Sequence, residues 1–220
     1  DTVLTGIPTS TRQLKVYNPH KKALLISSII LADAGKSGFR INVDGIRGDQ
    51  FSDIEIAGED SLYIFVEATL PQQDNADIRL IKDSILFQLN GIRQEVKLRA
   101  YAQDAFTFRG KVIEKDTLIA SQRPILIYDS ISVAHLTLAA GTRLYFHGKA
   151  GMQVHGRLSV AGSLSAPIVF RGDRTDRMFP YLPYDRLPGQ WGGIRFYKTS
   201  YENHLVYADI HGGSFGIRCD

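Results

Sequence analysis

Apolar and polar positions follow two different rhythms along this chain. Between residues 125 and 217 they come as short apolar–polar–apolar triplets. These are Leu136-Thr137-Leu138, Leu144-Tyr145-Phe146, Met152-Gln153-Val154, Leu158-Ser159-Val160 and Ile168-Val169-Phe170. Neighbouring side chains on a strand face opposite ways, so each triplet turns two apolar groups inward and one outward. Gly141, Gly148, Gly151 and Gly156 punctuate the triplets as corners. Leu136 recurs as Leu158 after 22 residues, and Leu144 as Ile168 after 24. Repetition at that period, built from very short strands, predicts a right-handed parallel β-helix with three strands per turn.

Residues 11–103 keep the slower beat of an all-β sandwich, with about seven strands separated by turn residues. Leu14 to Tyr17 reads as a strand stopped by Asn18-Pro19-His20-Lys21, and residues 23–31 as a strongly apolar second strand. Phe39-Arg40-Ile41-Asn42-Val43 alternates up to the Asp44-Gly45 turn. Ile54-Glu55-Ile56 follows, and residues 62–68 make the longest strand expected. A final pair, residues 84–88 and 95–100, is joined through Asn90-Gly91, a strong hairpin signal. Residues 2–10 read as an extended tail or linker.

The pattern therefore predicts two domains: residues 1–104 as an immunoglobulin-like sandwich and 105–220 as the β-helix. Residues 104–123 read as linking strands that, with the sandwich, cap the helix end. The coil expected runs through Leu136, Leu144 and Met152, then Leu158, Ile168 and Ile194. Its third rung begins with one strand from Leu205 to Ile210, with Val206, Ala208 and Ile210 inward, and continues through Phe215-Gly216-Ile217-Arg218-Cys219. A long insertion, residues 171–190, interrupts it. The pattern is still unfinished at Asp220, which implies a fragment of a longer protein and a last rung open to self-association.

Composition changes this picture little. Apolar residues make up 44% and charged residues 22%, as in folded soluble proteins, and the net charge of +3 is scattered, which argues against nucleic acid. The longest apolar stretch, residues 23–32, is half of the roughly 20 residues a spanning helix needs. The single cysteine, Cys219, rules out an internal disulfide framework and is expected in the core of a late strand.

Two sets of residues carry family resemblances. VYNPHKKALLISSIIL, SLYIFVEATL and ILFQLNGIRQEVKLRAYAQD resemble the immunoglobulin-like modules of the abnormal-spindle/hydin type. Gly189-Gln190-Trp191-Gly192-Gly193-Ile194 and Val206-Tyr207-Ala208-Asp209-Ile210, with Gly212-Gly213 and Gly216-Ile217, resemble the rungs of pectate-lyase-like β-helix proteins. They are most similar to the large exported proteins of Bacteroides-type bacteria. The resemblance implies export to the cell surface or periplasm, with membrane attachment only through a lipid anchor removed with a leader. It implies no single activity, because that superfamily mixes lyases, hydrolases, adhesins and inert surface proteins.

Candidate chemistry lies in the insertion and on one outward face. RGDRTDRMFPYLPYDRLPGQ is rich in Arg, Asp, Pro and aromatics, and long irregular loops are usually functional or disordered. Tyr181, Tyr184 and Trp191 are candidates to stack on sugar rings, with Arg174, Asp173 and Asp176 hydrogen-bonding hydroxyls. The competing reading is a loop folded on the helix flank with its charges paired. Asp173 and Asp176 are too few for calcium. His135, His147 and His155 lack zinc spacing. The alternative face sets Tyr207, Asp209 and His211 about 7 Å apart in steps of two, with Arg195 expected on an adjacent strand, where a carboxylate–histidine pair suits acid–base work.

No serine or cysteine triad, phosphate loop or dinucleotide fingerprint is present. The sequence points to a non-enzymatic surface or periplasmic module for polysaccharide, without cofactor or metal. The alternative is a polysaccharide lyase or glycoside hydrolase working on the helix flank.

Overall fold

The computed structural model describes residues 2–220 and divides the chain into two compact units, Asp1–Gln103 and Asp104–Asp220. The first contains β1 (Thr2–Leu4), β2 (Arg12–Tyr17), β3 (Leu24–Leu31), β4 (Phe39–Val43) and β5 (Ile46–Gly48). It continues with β6 (Gln50–Ile56), β7 (Ser61–Ala68), β8 (Arg79–Leu89) and β9 (Ile92–Gln103). They form a five-stranded sheet of order β1-β9-β8-β3-β6 and a four-stranded sheet of order β2-β7-β4-β5. Strict alternation sends Leu62, Ile64 and Val66 into the core and Tyr63, Phe65 and Glu67 outward. Ile29, Ile64, Leu70 and Ile85 are wholly buried, each contributing about 1.5–3 kcal/mol of transfer free energy.

Three details of this unit depart from the pattern read in the sequence. Thr2–Leu4 is no tail: it pairs in parallel with Tyr101–Gln103 and buries Leu4. The longest strands are β8 and β9, in register from Arg79–Ala102 to Leu89–Ile92, because Asn90 and Gly91 both take positive φ and close a tight turn. The edge strand β5 was not foreseen, being only three residues long.

Two buried polar side chains tie the turns down. Asn18 donates from Nδ2 to the carbonyls of Lys22, Ile56 and Ala57 and accepts the His20 amide at Oδ1. Asp83 accepts the amides of Asp33 and Ser84 and the Ser37 hydroxyl. The sequence marked Asn18 only as a turn residue and did not single out Asp83.

The second unit winds β10 (Phe106–Arg109), β11 (Val112–Ile113), β12 (Thr117–Ile119), β13 (Ile125–Tyr128), β14 (Ile131–Ala139), β15 (Arg143–Phe146) and β16 (Met152–Ala161). The later strands are β17 (Ile168–Gly172), β18 (Arg177–Phe179), β19 (Leu182–Pro183), β20 (Ile194–Phe196), β21 (His204–Val206), β22 (Ala208–Ile210) and β23 (Ile217–Cys219). Apart from the small antiparallel pair β18–β19, every ladder is parallel. One arm is β10-β13-β15-β17-β22. A second is β11, the first half of β14, the first half of β16, β20 and β23; the third is β12, the second halves of β14 and β16, and β21. The molecule is thus all-β, a sandwich antiparallel except for the β1–β9 pair and a parallel three-armed coil.

Leu136 and Leu158 are direct partners on neighbouring coils, and Leu138 partners Val160. Ile125 stacks on Leu144 and Leu144 on Phe170. Ile131, Met152 and Ile194 form a third inward column. These side chains make one continuous core. Between the second and third arms β16 carries one extra residue opposite β14, after Val133. Gly156 sits in that bend, where a Cβ would lie 2.1 Å from the Ala134 carbonyl oxygen.

The coil also corrects several expectations. Residues 106–119 are a full first coil instead of a linking cap, since β10, β11 and β12 each pair with the next layer. Leu144 partners Phe170, not Ile168; a slip of two preserves the face, so the periodicity alone did not reveal it. The run from Leu205 to Ile210 is two strands on different arms, broken at Tyr207, whose φ is 49°. Leu205 therefore faces the core and Val206 is exposed. Cys219 does lie on a late strand, in register with Phe196, but is exposed.

Candidate functional site

The outer face of the first arm, with the insertion that follows β17, gathers most of the candidate chemistry. Register places the outward residues of successive coils in columns. Arg109 lies over the ring of Tyr128 at 3.9 Å, the Tyr128 ring packs against His147 at 4.7 Å with the planes tilted by 42°, and His147 Nδ1 is 2.7 Å from Asp173 Oδ2. Burial and the nearby Asp173 charge push the Tyr128 phenol up, against the pull of Arg109. In the adjacent column Tyr145 is in register with Arg171, whose guanidinium lies 5.3 Å from the Tyr145 ring.

Arg171 leads into the insertion. Its Nε lies 3.0 Å from Asp185 Oδ1, and one terminal nitrogen donates to the Arg174 carbonyl. The same Asp185 oxygen is 2.7 Å from His211 Nε2, and His211 Nδ1 is 2.8 Å from Asp209 Oδ1. Asp185 sits in the only helical turn of the unit among the described residues, Tyr184–Arg186, so one imidazole joins the insertion to the strand end beyond β22. Burial works against protonation of His211, but the hydrogen bonds and charges of Asp209 and Asp185 outweigh it. The net effect lifts its pKa above the ordinary 6.5. A ring that donates from both nitrogens is an imidazolium.

A cleft of about 480 Å³ opens beside this cluster, lined by Asp185, Arg186, Pro188, His211, Gly212 and Gly213. A general base needs a nitrogen free to take a proton. Here both nitrogens face carboxylates, and Asp185 is also neutralised by Arg171. As it stands, the constellation holds a loop.

The predicted site residues divide clearly. Asp209 and His211 do come together, with Asp185 and Arg171 as partners that sequence reasoning missed. Tyr207 sits at the corner between arms, with φ 49° and its side chain exposed. Arg195 lies on β20, in the second arm, where it pairs with Asp220 at 2.7 Å and covers Tyr197, so it does not reach the His211 cluster.

Within the insertion, Arg174 binds Asp176 through two nitrogens and lies 3.3 Å from the centre of the Tyr184 ring. The Asp176 hydrogen bonds raise the Arg174 pKa. That cover removes one face of Tyr184 from any ligand. Asp173 is committed to His147, on another column from Asp176.

Trp191 requires a correction. It has no exposed surface, stacks on Phe146 at 4.4 Å and donates from Nε1 to the His211 carbonyl at 2.8 Å. A ring with no free face cannot stack on a sugar; Trp191 is a core residue of the coil. Its position just before Gly192-Gly193 and the inward Ile194 was the available signal.

Of the three aromatic candidates only Tyr181 is open, with 80% of its surface exposed. It stacks on Phe179, 5.7 Å away with ring planes 11° apart, at the turn between β18 and β19. Arg177 secures that turn by donating to the Pro180 carbonyl. Phe179 and Met178, both half-exposed, were not singled out in the sequence, although the uncharged run Met178-Phe179-Pro180-Tyr181 marks the tip.

No family model matches the chain, and no curated protein matches it. Among solved structures it is similar to a family 123 glycoside hydrolase from Clostridium perfringens, studied for its hydrolysis of glycolipid glycans. Sequence identity is 9%, and the match covers 49% of this chain and 25% of that one at a TM-score of 0.31. A likeness at that level carries no argument about this chain's fold or chemistry.

Proposed function

We propose that this chain is a non-enzymatic carbohydrate-binding module of an exported cell-surface or periplasmic protein. The observation that carries the reading is the stacked Phe179–Tyr181 pair, exposed at the tip of an insertion tied to the coil by Asp185, His211 and Arg171. Rigid aromatic rings on a pinned scaffold offer a sugar face a ready surface at little ordering cost. Export is supported by the likeness of the rungs to the pectate-lyase-like proteins of Bacteroides-type bacteria, and by that of the sandwich to abnormal-spindle/hydin modules.

The test is a glycan array probed with the full 220-residue chain and with a Phe179→Ala/Tyr181→Ala variant. Binding to at least one oligosaccharide, weakened about tenfold in the variant, supports the reading. A chain that binds nothing on the array overturns it.

A second reading, a lyase or hydrolase on the helix flank, is favoured by one arrangement: two carboxylates on either side of His211 at the mouth of a cleft. Release of reducing ends from polysaccharide by the wild type, abolished in His211→Gln, would establish it over the binding role.

A further inference from the structure

We infer that the outer face of the four-stranded sheet, β2-β7-β4-β5, is a separate saccharide platform centred on Phe65, selective for neutral sugars. It draws only its ligand class from the reading above; its residues belong to the other unit.

The register defines the platform. Gln13, Phe65, Asn42 and Arg47 are successive partners across the four strands, forming one outward row roughly 14 Å wide at about 4.8 Å per strand. Glu67 and Arg40 make a parallel row on one side, and Lys15 and Tyr63 a row on the other. Phe65 is 37% exposed at the centre of these polar groups. Lys15 lies near the rings of Tyr17 and Tyr63, at 5.9 and 5.7 Å, whereas no cation among the described residues covers Phe65. A cleft of about 540 Å³ runs over the face, lined by Thr11, Arg40, Asn42, Arg47, Phe65 and Glu67 among others.

Two further observations point to a ligand. Asn42 Oδ1 is buried and makes no hydrogen bond, a state that costs free energy until a donor arrives. Arg47, one strand away, is exposed and without a carboxylate partner among the described residues. By contrast Glu67 is held ready: Thr11 donates to its Oε1 at 2.6 Å, and Arg40 lies 3.7 Å from Oε2.

The lining narrows that class to neutral sugars. Arg40 and Arg47 are balanced by Glu67 and Asp49, so neither an anionic nor a cationic ligand is favoured overall. What remains is a flat apolar ring surrounded by planar donors and acceptors. That combination suits a pyranose, whose C–H face packs on an aromatic ring while its rim hydroxyls both donate and accept. A hydroxyl reaching Asn42 Oδ1 supplies the missing donor.

The full chain is screened on an array of neutral and acidic oligosaccharides. The best binder is then titrated calorimetrically against wild type, Phe65→Ala, Arg47→Ala and the Phe179→Ala/Tyr181→Ala variant. A neutral oligosaccharide should bind, about tenfold more weakly to Phe65→Ala and about threefold more weakly to Arg47→Ala, with the double variant retaining this component. Arg47 is exposed and its removal leaves the fold intact, so it reads the site even if Phe65→Ala unfolds. The inference is overturned if no neutral sugar binds, if acidic sugars alone bind, or if Phe65→Ala and Arg47→Ala both bind like wild type. In the last case, complete loss in the double variant would leave the tip reading standing alone. Loss in Phe65→Ala with binding retained in the double variant would instead leave the Phe65 platform standing alone.

Discussion

The coil and the sandwich solve the same packing problem and leave opposite outer surfaces. In both, alternation buries one face of each strand. On the coil, stacking identical positions brings each outward residue against its neighbour one layer away, and charges and rings pair along the columns: Arg109, Tyr128, His147 and Asp173 in one, Tyr145 and Arg171 in the next. On the four-stranded sheet, Phe65 is part-exposed, Asn42 Oδ1 is buried without a hydrogen bond, and Arg47 is exposed without a carboxylate partner among the described residues. Titratable groups alone therefore mislead here: His211 has the richest polar surroundings and the least freedom to act, while chemically plain Phe65 has a free face.

If the coil depends on close backbone stacking, its glycines should be its most sensitive points. Gly156→Ala drives a Cβ into the Ala134 carbonyl and should cost more than about 4 kcal/mol, measured by chemical denaturation followed by tryptophan fluorescence. Gly148→Ala meets open space and should cost only about 1–2 kcal/mol for its positive φ. Equal effects would mean that the bend is not where the layers touch.

Trp191→Ala removes the largest wholly buried side chain of the coil and should cost about 3–5 kcal/mol by circular-dichroism melting. Stability close to wild type would return Trp191 to the surface and to the list of sugar-stacking candidates. On the sandwich side, Asn18→Ala strands the carbonyls of Lys22, Ile56 and Ala57 and should cost about 2–3 kcal/mol. No loss would show that the sandwich, like its open outer face, tolerates unpaired polar groups.

The smallest expected effect concerns pH. Because folding raises the His211 pKa, its contribution is fully present below the ordinary 6.5 and fades as pH rises through the folded value. Wild type should therefore lose stability between mildly acid and alkaline pH relative to Asp185→Asn, whose profile should be flatter. Matching profiles would indicate that the loop is held by Arg171 alone.

The sequence displayed the fold better than the site. Triplets from Leu136 to Phe170 state their facing directly, because burial on a strand has period two whatever the loop lengths. Register was less visible: Leu144 against Phe170 differs from Leu144 against Ile168 by a shift that leaves every face unchanged. The first coil at Phe106 was hidden because β11 and β12 hold only two and three residues. The Asp209–His211 pair was legible from spacing. Its partners Asp185 and Arg171 were not, since they arrive through an insertion whose path no periodicity fixes. Asn42 and Phe65 were likewise invisible as a site, because their proximity depends on β7 pairing with β4 across a long connection.

The most direct test of where this molecule meets a ligand is amide chemical-shift mapping of the labelled full chain, titrated with the neutral oligosaccharide that binds best on the array. The account predicts shifts on β2, β4, β5 and β7 around Phe65, and at the tip around Phe179 and Tyr181, with Asp185, Asp209 and His211 unmoved. Shifts centred on those last three residues would contradict it.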